Sequence, residues 1–354
     1  MPDSNTKPPS RRHRKLIVVV AVCLAAIIVV LIPQASSKSL VRKQVAELAN
    51  QKNWSLLTIH GKKIQEIQFA DRSLKEIGRL PSPMATWSSI SPDGKWIAFD
   101  VCPDARRRDP TESFSTCPGV PHLAVVAADG TGFREYSNLI FPIAMCWSPD
   151  DSKLTVSVED RKTNTTGHLD ILDVATGSAK DIDGMNAFAS EQCWSPDGKH
   201  VVYMVNQDKG IQVVRIYDAA KNKSREVASG GHPSWSPDGK RIAFLYCPPF
   251  NWDCAYQTIH PDGTGQTLLF NIEAGSSPLW WSPDSQYVAY ISFRKFWEHS
   301  LFGKLEQLVP IEHLETDDRL RIRRLDDNSE DWLLNLGNGD SPCFQWIPWS
   351  LNAR

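Results

Sequence analysis

One short pattern recurs along this chain and constrains its fold more than any other feature. The copies are Ile90-Ser91-Pro92-Asp93-Gly94-Lys95, Trp147-Ser148-Pro149-Asp150-Asp151-Ser152-Lys153, Trp194-Ser195-Pro196-Asp197-Gly198-Lys199, Trp235-Ser236-Pro237-Asp238-Gly239-Lys240 and Trp281-Ser282-Pro283-Asp284-Ser285. A degenerate sixth copy is Trp346-Ile347-Pro348, and successive copies stand 57, 47, 41, 46 and 65 residues apart. Repeats of this period indicate one supersecondary unit stacked many times. Pro fixes φ and ends the preceding strand, while Asp-Gly or Asp-Ser supplies the turn into the next. The Trp offers a large apolar surface to fill the space between neighbouring units. A calcium loop would need further acidic ligands at even spacing, and none follow.

Each copy leads into a short apolar strand, such as 96–99, 201–204, 242–244 or 288–290. Two more strands then follow: 122–128 and 133–136 around Asp129-Gly130-Thr131-Gly132, 169–174 and 179–182 around Thr176-Gly177, and 256–260 and 267–270 around Asp262-Gly263-Thr264-Gly265. The unit therefore reads a-b-c-d, with the Ser-Pro-Asp turn joining a to b. This arrangement resembles the PD40 repeat of the TolB-like (WD40-like) β-propellers, over nearly all of residues 54–354. The resemblance implies an all-β, six-bladed β-propeller. Three strand-like segments precede the first motif (54–59, 64–69 and 74–77) and one, 343–349, follows the last blade. Three strands plus one predict a 3+1 closure that removes exposed sheet edges. The 13 Trp and 24 Pro suit such a turn-rich all-β protein.

The N-terminus has a different composition. Residues 1–15 form a basic tail ending Arg11-Arg12-His13-Arg14-Lys15, and residues 16–33 are apolar and close on Pro33. Seventeen residues from 16 to 32 at ~1.5 Å each span about 26 Å, near the lower limit for crossing a bilayer. The basic tail then places residues 1–15 in the cytoplasm and the propeller outside. Two readings remain: one uncleaved transmembrane helix, which the length of the run favours, or a signal peptide cleaved near Ala35-Ser36-Ser37. Residues 34–53 read as a linker. The TolB-like family carries an α/β domain ahead of its propeller, and only this linker stands there between the apolar run and the first strand.

Eight Cys are present. Cys102 and Cys247 each stand ten residues after a motif proline, and Cys117 and Cys254 each stand just before strand c. Disulfides Cys102–Cys117 and Cys247–Cys254 across equivalent b–c hairpins follow from those offsets and suit an oxidising compartment. Cys146 and Cys193 both precede a motif Trp and read as small core residues rather than a cross-blade bridge.

Function is less legible. In a propeller the b–c and d–a loops share one face, and here the irregular segments 102–120, 247–254 and 293–318 collect on it. They carry Arg106, Arg107 and Arg108, then Phe250 and Trp252, then Phe296 and Trp297. Arg and aromatic anchors on long loops predict a protein or cell-envelope partner. The blander readings are a solvated Arg run and aromatics packed onto the propeller. With 39 Lys+Arg against 41 Asp+Glu, the chain has no overall basic footprint for nucleic acid. No hydrolase elbow, zinc helix or phosphate loop is present, so no catalytic residue, metal ligand or cofactor is assigned and a non-enzymatic monomer is expected. The competing reading is a metal-dependent small-molecule hydrolase or lactonase using the central channel. Asn186, Glu191 and Asp340 are the available channel residues for it, and His232 reads as structural, without an acidic partner.

Overall fold

The computed structural model describes residues 46–47, 55–60, 63–68, 71, 73–80, 88–101, 120–160, 166–182, 189–207, 210–248, 254–272, 279–292, 319–335 and 343–347. Its strands are β1 (Ser55–His60), β2 (Lys63–Ile67), β3 (Leu74–Arg79), β4 (Ser88–Ile90), β5 (Trp96–Val101), β6 (His122–Ala127) and β7 (Arg134–Ile140). The second repeat supplies β8 (Pro142–Trp147), β9 (Lys153–Asp160), β10 (Thr166–Asp173) and β11 (Ala179–Asp181). The third supplies β12 (Ala189–Trp194), β13 (His200–Asn206), β14 (Gln212–Asp218) and β15 (Lys223–Ser229). The fourth supplies β16 (Gly231–Trp235), β17 (Ile242–Tyr246), β18 (Ala255–Ile259) and β19 (Thr267–Asn271). The fifth supplies β20 (Leu279–Trp281), β21 (Tyr287–Ser292), β22 (Arg319–Arg324) and β23 (Glu330–Asn335), and β24 (Cys343–Ile347) comes last.

These strands form six four-stranded antiparallel sheets. Blades 1 to 5 are β4–β7, β8–β11, β12–β15, β16–β19 and β20–β23, each in sequence order, and the sixth sheet has the order β24-β1-β2-β3. In that sheet Ser55 faces Ile347 and Ile59 faces Cys343. The first strands β4, β8, β12, β16, β20 and β24 touch one another in cyclic order. They therefore form the wall of a central channel. The chain folds as a six-bladed β-propeller.

The Ser-Pro-Asp turns are alike in all five full copies. The motif Ser hydroxyl donates to the motif Asp at 2.5–2.7 Å. The same hydroxyl accepts the N–H five residues on at 2.9–3.0 Å. Each turn is thus closed by side chains as well as backbone, which explains why Ser and Asp recur together. Gly94, Gly198 and Gly239 take φ of 67, 68 and 73°, and Asp151 and Ser285 occupy the same slot at 58 and 59°.

The apolar side chains form separate cores between adjacent blades. Alternation along a strand sends Ile97 and Phe99 toward Leu57 and Ile64 of blade 6, while Ala98 faces blade 2. Each motif Trp packs on the preceding blade: Trp147 with Leu123 and Val125, Trp194 with Leu169, Trp235 with Val202 and Val214, and Trp281 with Tyr256 and Phe270. A ring of interblade wedges, not one central core, holds the described residues together. Strand β7 extends to Ile140, beyond the sequence-based end at 136, because Leu139 is buried.

The apolar segment 16–33 lies outside the described residues, and no helix among those described is long and apolar enough to cross a membrane.

Candidate functional site

The most distinctive polar chemistry on the channel wall lies where blades 3 and 4 meet. Strand β12 carries a bulge: Ser190 faces Met204 and Cys193 faces Val202, which leaves Glu191 and Gln192 opposite Tyr203. Strand β16 repeats it, with Gly231 facing Leu245 and Ser234 facing Ala243, so that His232 and Pro233 oppose Phe244. In each bulge the first residue is left-handed, at φ 56° for Glu191 and 49° for His232. A bulge of this kind re-aims a side chain that regular alternation would send into the sheet. Non-glycine residues held in that region cost about 1–3 kcal/mol each, and such strain concentrates at functional sites.

The two bulges meet across the seam. The His232 backbone N–H donates to Glu191 Oε2 at 2.8 Å. The imidazole Nδ1 lies 2.9 Å from Glu191 Oε1, close enough for an ion pair but out of line for a hydrogen bond. The side chains are 16% and 27% exposed, so the pair is shielded without being sealed. Nδ1 is thus the ring nitrogen held against the carboxylate, and no hydrogen bond to the ring is present among the described residues. This corrects the sequence-based view of His232 as lacking an acidic partner. The overlooked signal was positional, because Glu191 and His232 each stand three residues before a motif Trp in consecutive blades.

The close passage of the chain into β16 depends on Gly230. Its φ is 143°, and a Cβ there would lie 2.4 Å from the Leu245 carbonyl oxygen. Beside the dyad, Gln192 bridges blades 2 and 3, donating to the carbonyls of Ala144 at 2.8 Å and Thr155 at 3.2 Å while its own carbonyl accepts from Ser157 at 3.2 Å. Among the described residues no group of three His, Cys, Asp or Glu is placed to hold a metal ion. Asn186 and Asp340 lie outside those residues.

A disulfide joins Cys247 to Cys254 with a Cα–Cα separation of 4.2 Å, between the end of β17 and the start of β18. It closes the b–c loop that contains Phe250 and Trp252. The side chains of Arg106, Arg107, Arg108, Phe250, Trp252, Phe296 and Trp297, and the pair Cys102 and Cys117, lie outside the described residues. Cys146 and Cys193 are half-buried residues packed against the interblade cores, and neither is disulfide-bonded. Their strands line the channel, where a side chain is covered on fewer sides than between two blades.

No family model and no curated protein matches the chain. Solved structures do share its fold. TolB from Acinetobacter baumannii superposes with a TM-score of 0.56 at 14% identity, over 80% of this chain and 67% of that one. A putative TolB from Agrobacterium tumefaciens gives 0.55 at 16% identity, over 84% and 99%. Oligogalacturonate lyase in complex with manganese gives 0.51 at 12% identity, over 80% and 74%. Together with the six sheets and the repeated Ser-Pro-Asp turns, these likenesses identify the fold as a TolB-like six-bladed β-propeller.

Proposed function

We propose that this chain is a binding propeller that engages a protein or cell-envelope component through the face bearing its b–c loops. The observation that carries this reading is the Cys247–Cys254 bond, which cross-links the short loop whose sequence contains Phe250 and Trp252. A loop tied at its base loses less entropy on binding than a free one, so more of each aromatic contact is realised as affinity. The Ser-Pro-Asp turn face is short and uniform by comparison. In this reading Arg106, Arg107, Arg108, Phe296 and Trp297 extend the same surface, the protein works as a monomer, and the 3+1 closure keeps the ring rigid. Residues 16–33 tether the propeller to the outer side of a membrane. Crosslinking in the native envelope, repeated with folded Trp252→Ala and Trp297→Ala variants, tests it. Loss of a captured partner is expected, and an unchanged partner set overturns the assignment. Sequencing the mature N-terminus and testing the propeller's accessibility to external protease address the tether.

A second reading is supported by the Glu191–His232 pair. An imidazole oriented by a carboxylate is a usual beginning for proton transfer or metal binding. A structure of this fold is known with manganese, in oligogalacturonate lyase. The channel would then serve a metal-dependent reaction on a small molecule. Elemental analysis of the purified chain separates the two readings, because a stoichiometric divalent ion lost in His232→Ala would favour the enzyme.

A further inference from the structure

Cys146 in β8 and Cys193 in β12 hold the same repeat position, one residue before the motif Trp, in channel-lining strands of neighbouring blades. Cys146 stands opposite Thr155 and Cys193 opposite Val202, so both occupy the turn-side end of their strand. Neither is disulfide-bonded, and β8 and β12 lie side by side in the channel wall, with Cys146 packed against the cluster that holds Trp194. Each sulfur also approaches the carbonyl of the Trp that follows it, at 3.7 Å for Cys146 and 3.5 Å for Cys193.

The motif indoles distinguish this place from the rest of the ring. Where the preceding blade has Ser at the position, the indole N–H donates to that residue's carbonyl: Trp147 to Ser89 at 3.1 Å and Trp281 to Ser234 at 3.3 Å. Where the preceding blade has Cys, it does not. Trp194, in the cluster against which Cys146 packs, and Trp235, in the cluster against which Cys193 packs, keep buried indole N–H groups without a partner. Native proteins leave few such donors unpaired, and a thiolate is a better acceptor than a thiol. The contact with Cys146 also holds the Cys193 thiol below its ordinary range, with burial opposing and the Trp235 backbone N–H assisting. Two equivalent thiols on adjoining strands, in clusters with two unpaired donors, make an environment suited to thiol–disulfide exchange.

We propose that Cys146 and Cys193 form a redox pair that closes reversibly into a disulfide between blades 2 and 3. The oxidant is a small-molecule disulfide of the glutathione class. The Cys193 thiolate attacks one of its sulfurs, forming a mixed disulfide and releasing one thiolate. Cys146, deprotonated in turn, attacks the Cys193 sulfur and expels the second. Two electrons pass from the pair to the small disulfide, which leaves as two thiols carrying the two protons. The Cys247–Cys254 bond ties one hairpin, whereas this one staples two blades at the channel wall.

The test equilibrates the purified full chain in glutathione buffers of graded potential, quenches with acid, alkylates the remaining thiols and maps the peptides by mass. A linked peptide pair containing Cys146 and Cys193 is expected, growing with potential and lost on reduction. Closing a loop of this length should raise Tm by about 5 °C. That increment should be absent in Cys146→Ser/Cys193→Ser. Both cysteines remaining open to alkylation where Cys247–Cys254 is fully closed would overturn the proposal, as would their pairing with other cysteines. Peptide mapping on the wild-type chain decides the matter even if the variant fails to fold.

Discussion

The backbone N–H of Asp93 donates to the Asp151 carboxylate at 3.3 Å, across the seam between blades 1 and 2. Asp151 stands where three other copies have Gly, and it pays for its side chain with a left-handed φ of 58°. The seam between blades 4 and 5 is built the same way, since Ser285 at φ 59° accepts from the Asp238 N–H at 3.2 Å. There Arg241 adds a contact over the Trp281 ring at 5.0 Å. The two copies that lost their glycine each gained an interblade bond.

Strain and bond therefore oppose each other at these two positions. Replacing Asp151 or Ser285 by Gly relieves about 1 kcal/mol of left-handed cost while giving up a hydrogen bond of similar worth, so stability should change by under ~1 kcal/mol. Ala removes the bond and keeps the strain, and should cost about 1–2 kcal/mol. Urea titration of the four variants checks the contrast.

Gly230→Ala should be far more damaging. A methyl at 2.4 Å from the Leu245 oxygen and 2.8 Å from the Phe244 ring must displace backbone or a core side chain. A loss of about 3 kcal/mol or more is expected, with Gly263→Ala as the milder control. Thermal denaturation of both gives the comparison.

Acid should weaken the ring through its turns. The Asp150 and Asp197 carboxyls are held below the ordinary 3.8, chiefly by the hydroxyls of Ser148 and Ser195. At Asp93 and Asp238 burial pushes upward but is outweighed by hydrogen bonds from Lys95 and Ser91, and from Ser236 and Lys240. A depressed carboxylate stabilises the fold fully above its unfolded value, and that share is lost as pH falls through the folded value. The urea midpoint should therefore fall below about pH 4, and less steeply in Asp150→Asn/Asp197→Asn. Asp151 has the opposite sign: burial raises it, so protonating it favours the fold.

The dyad can be probed through the one hydrogen bond that joins it. Glu191→Ala leaves the His232 N–H unpaired and should cost about 1–2 kcal/mol, whereas Glu191→Gln keeps an acceptor and should cost less. Equal losses in chemical denaturation would mean that the backbone bond contributes nothing.

Cutting the Cys247–Cys254 link should act mainly on the loop. An eight-residue closure is worth roughly 2 kcal/mol by chain entropy. Cys247→Ser/Cys254→Ser should stay folded near that cost, and partner capture should weaken with it.

The propeller was legible because its signals are local and repeated. Ser148 and Asp150 build their turn within a few residues, and Trp147 needs only a flat neighbouring sheet. The Glu191–His232 pair was hidden for a physical reason. A bulge adds a residue and breaks the period of two, so alternation wrongly sends both side chains into the sheet. The pairing of Cys146 and Cys193 positions was half visible, since the shared offset shows equivalence but not that β8 and β12 adjoin. The acid–base network in blade 5, where Tyr290, Arg321 and Arg323 converge on Glu330, had no sequence signature, because its members meet only through strand register.

The bulges in β12 and β16 have one more consequence. A ring of like blades looks the same from six directions, and a molecule on its axis would have no preferred azimuth. Among the described residues, Glu191, His232 and the two thiols place distinctive chemistry on the arc of blades 2 to 4, with Ser89 beside it in blade 1. Among the described residues the channel wall is therefore polarised around its circumference, and a molecule on the axis meets blades 2 to 4 as a distinct side.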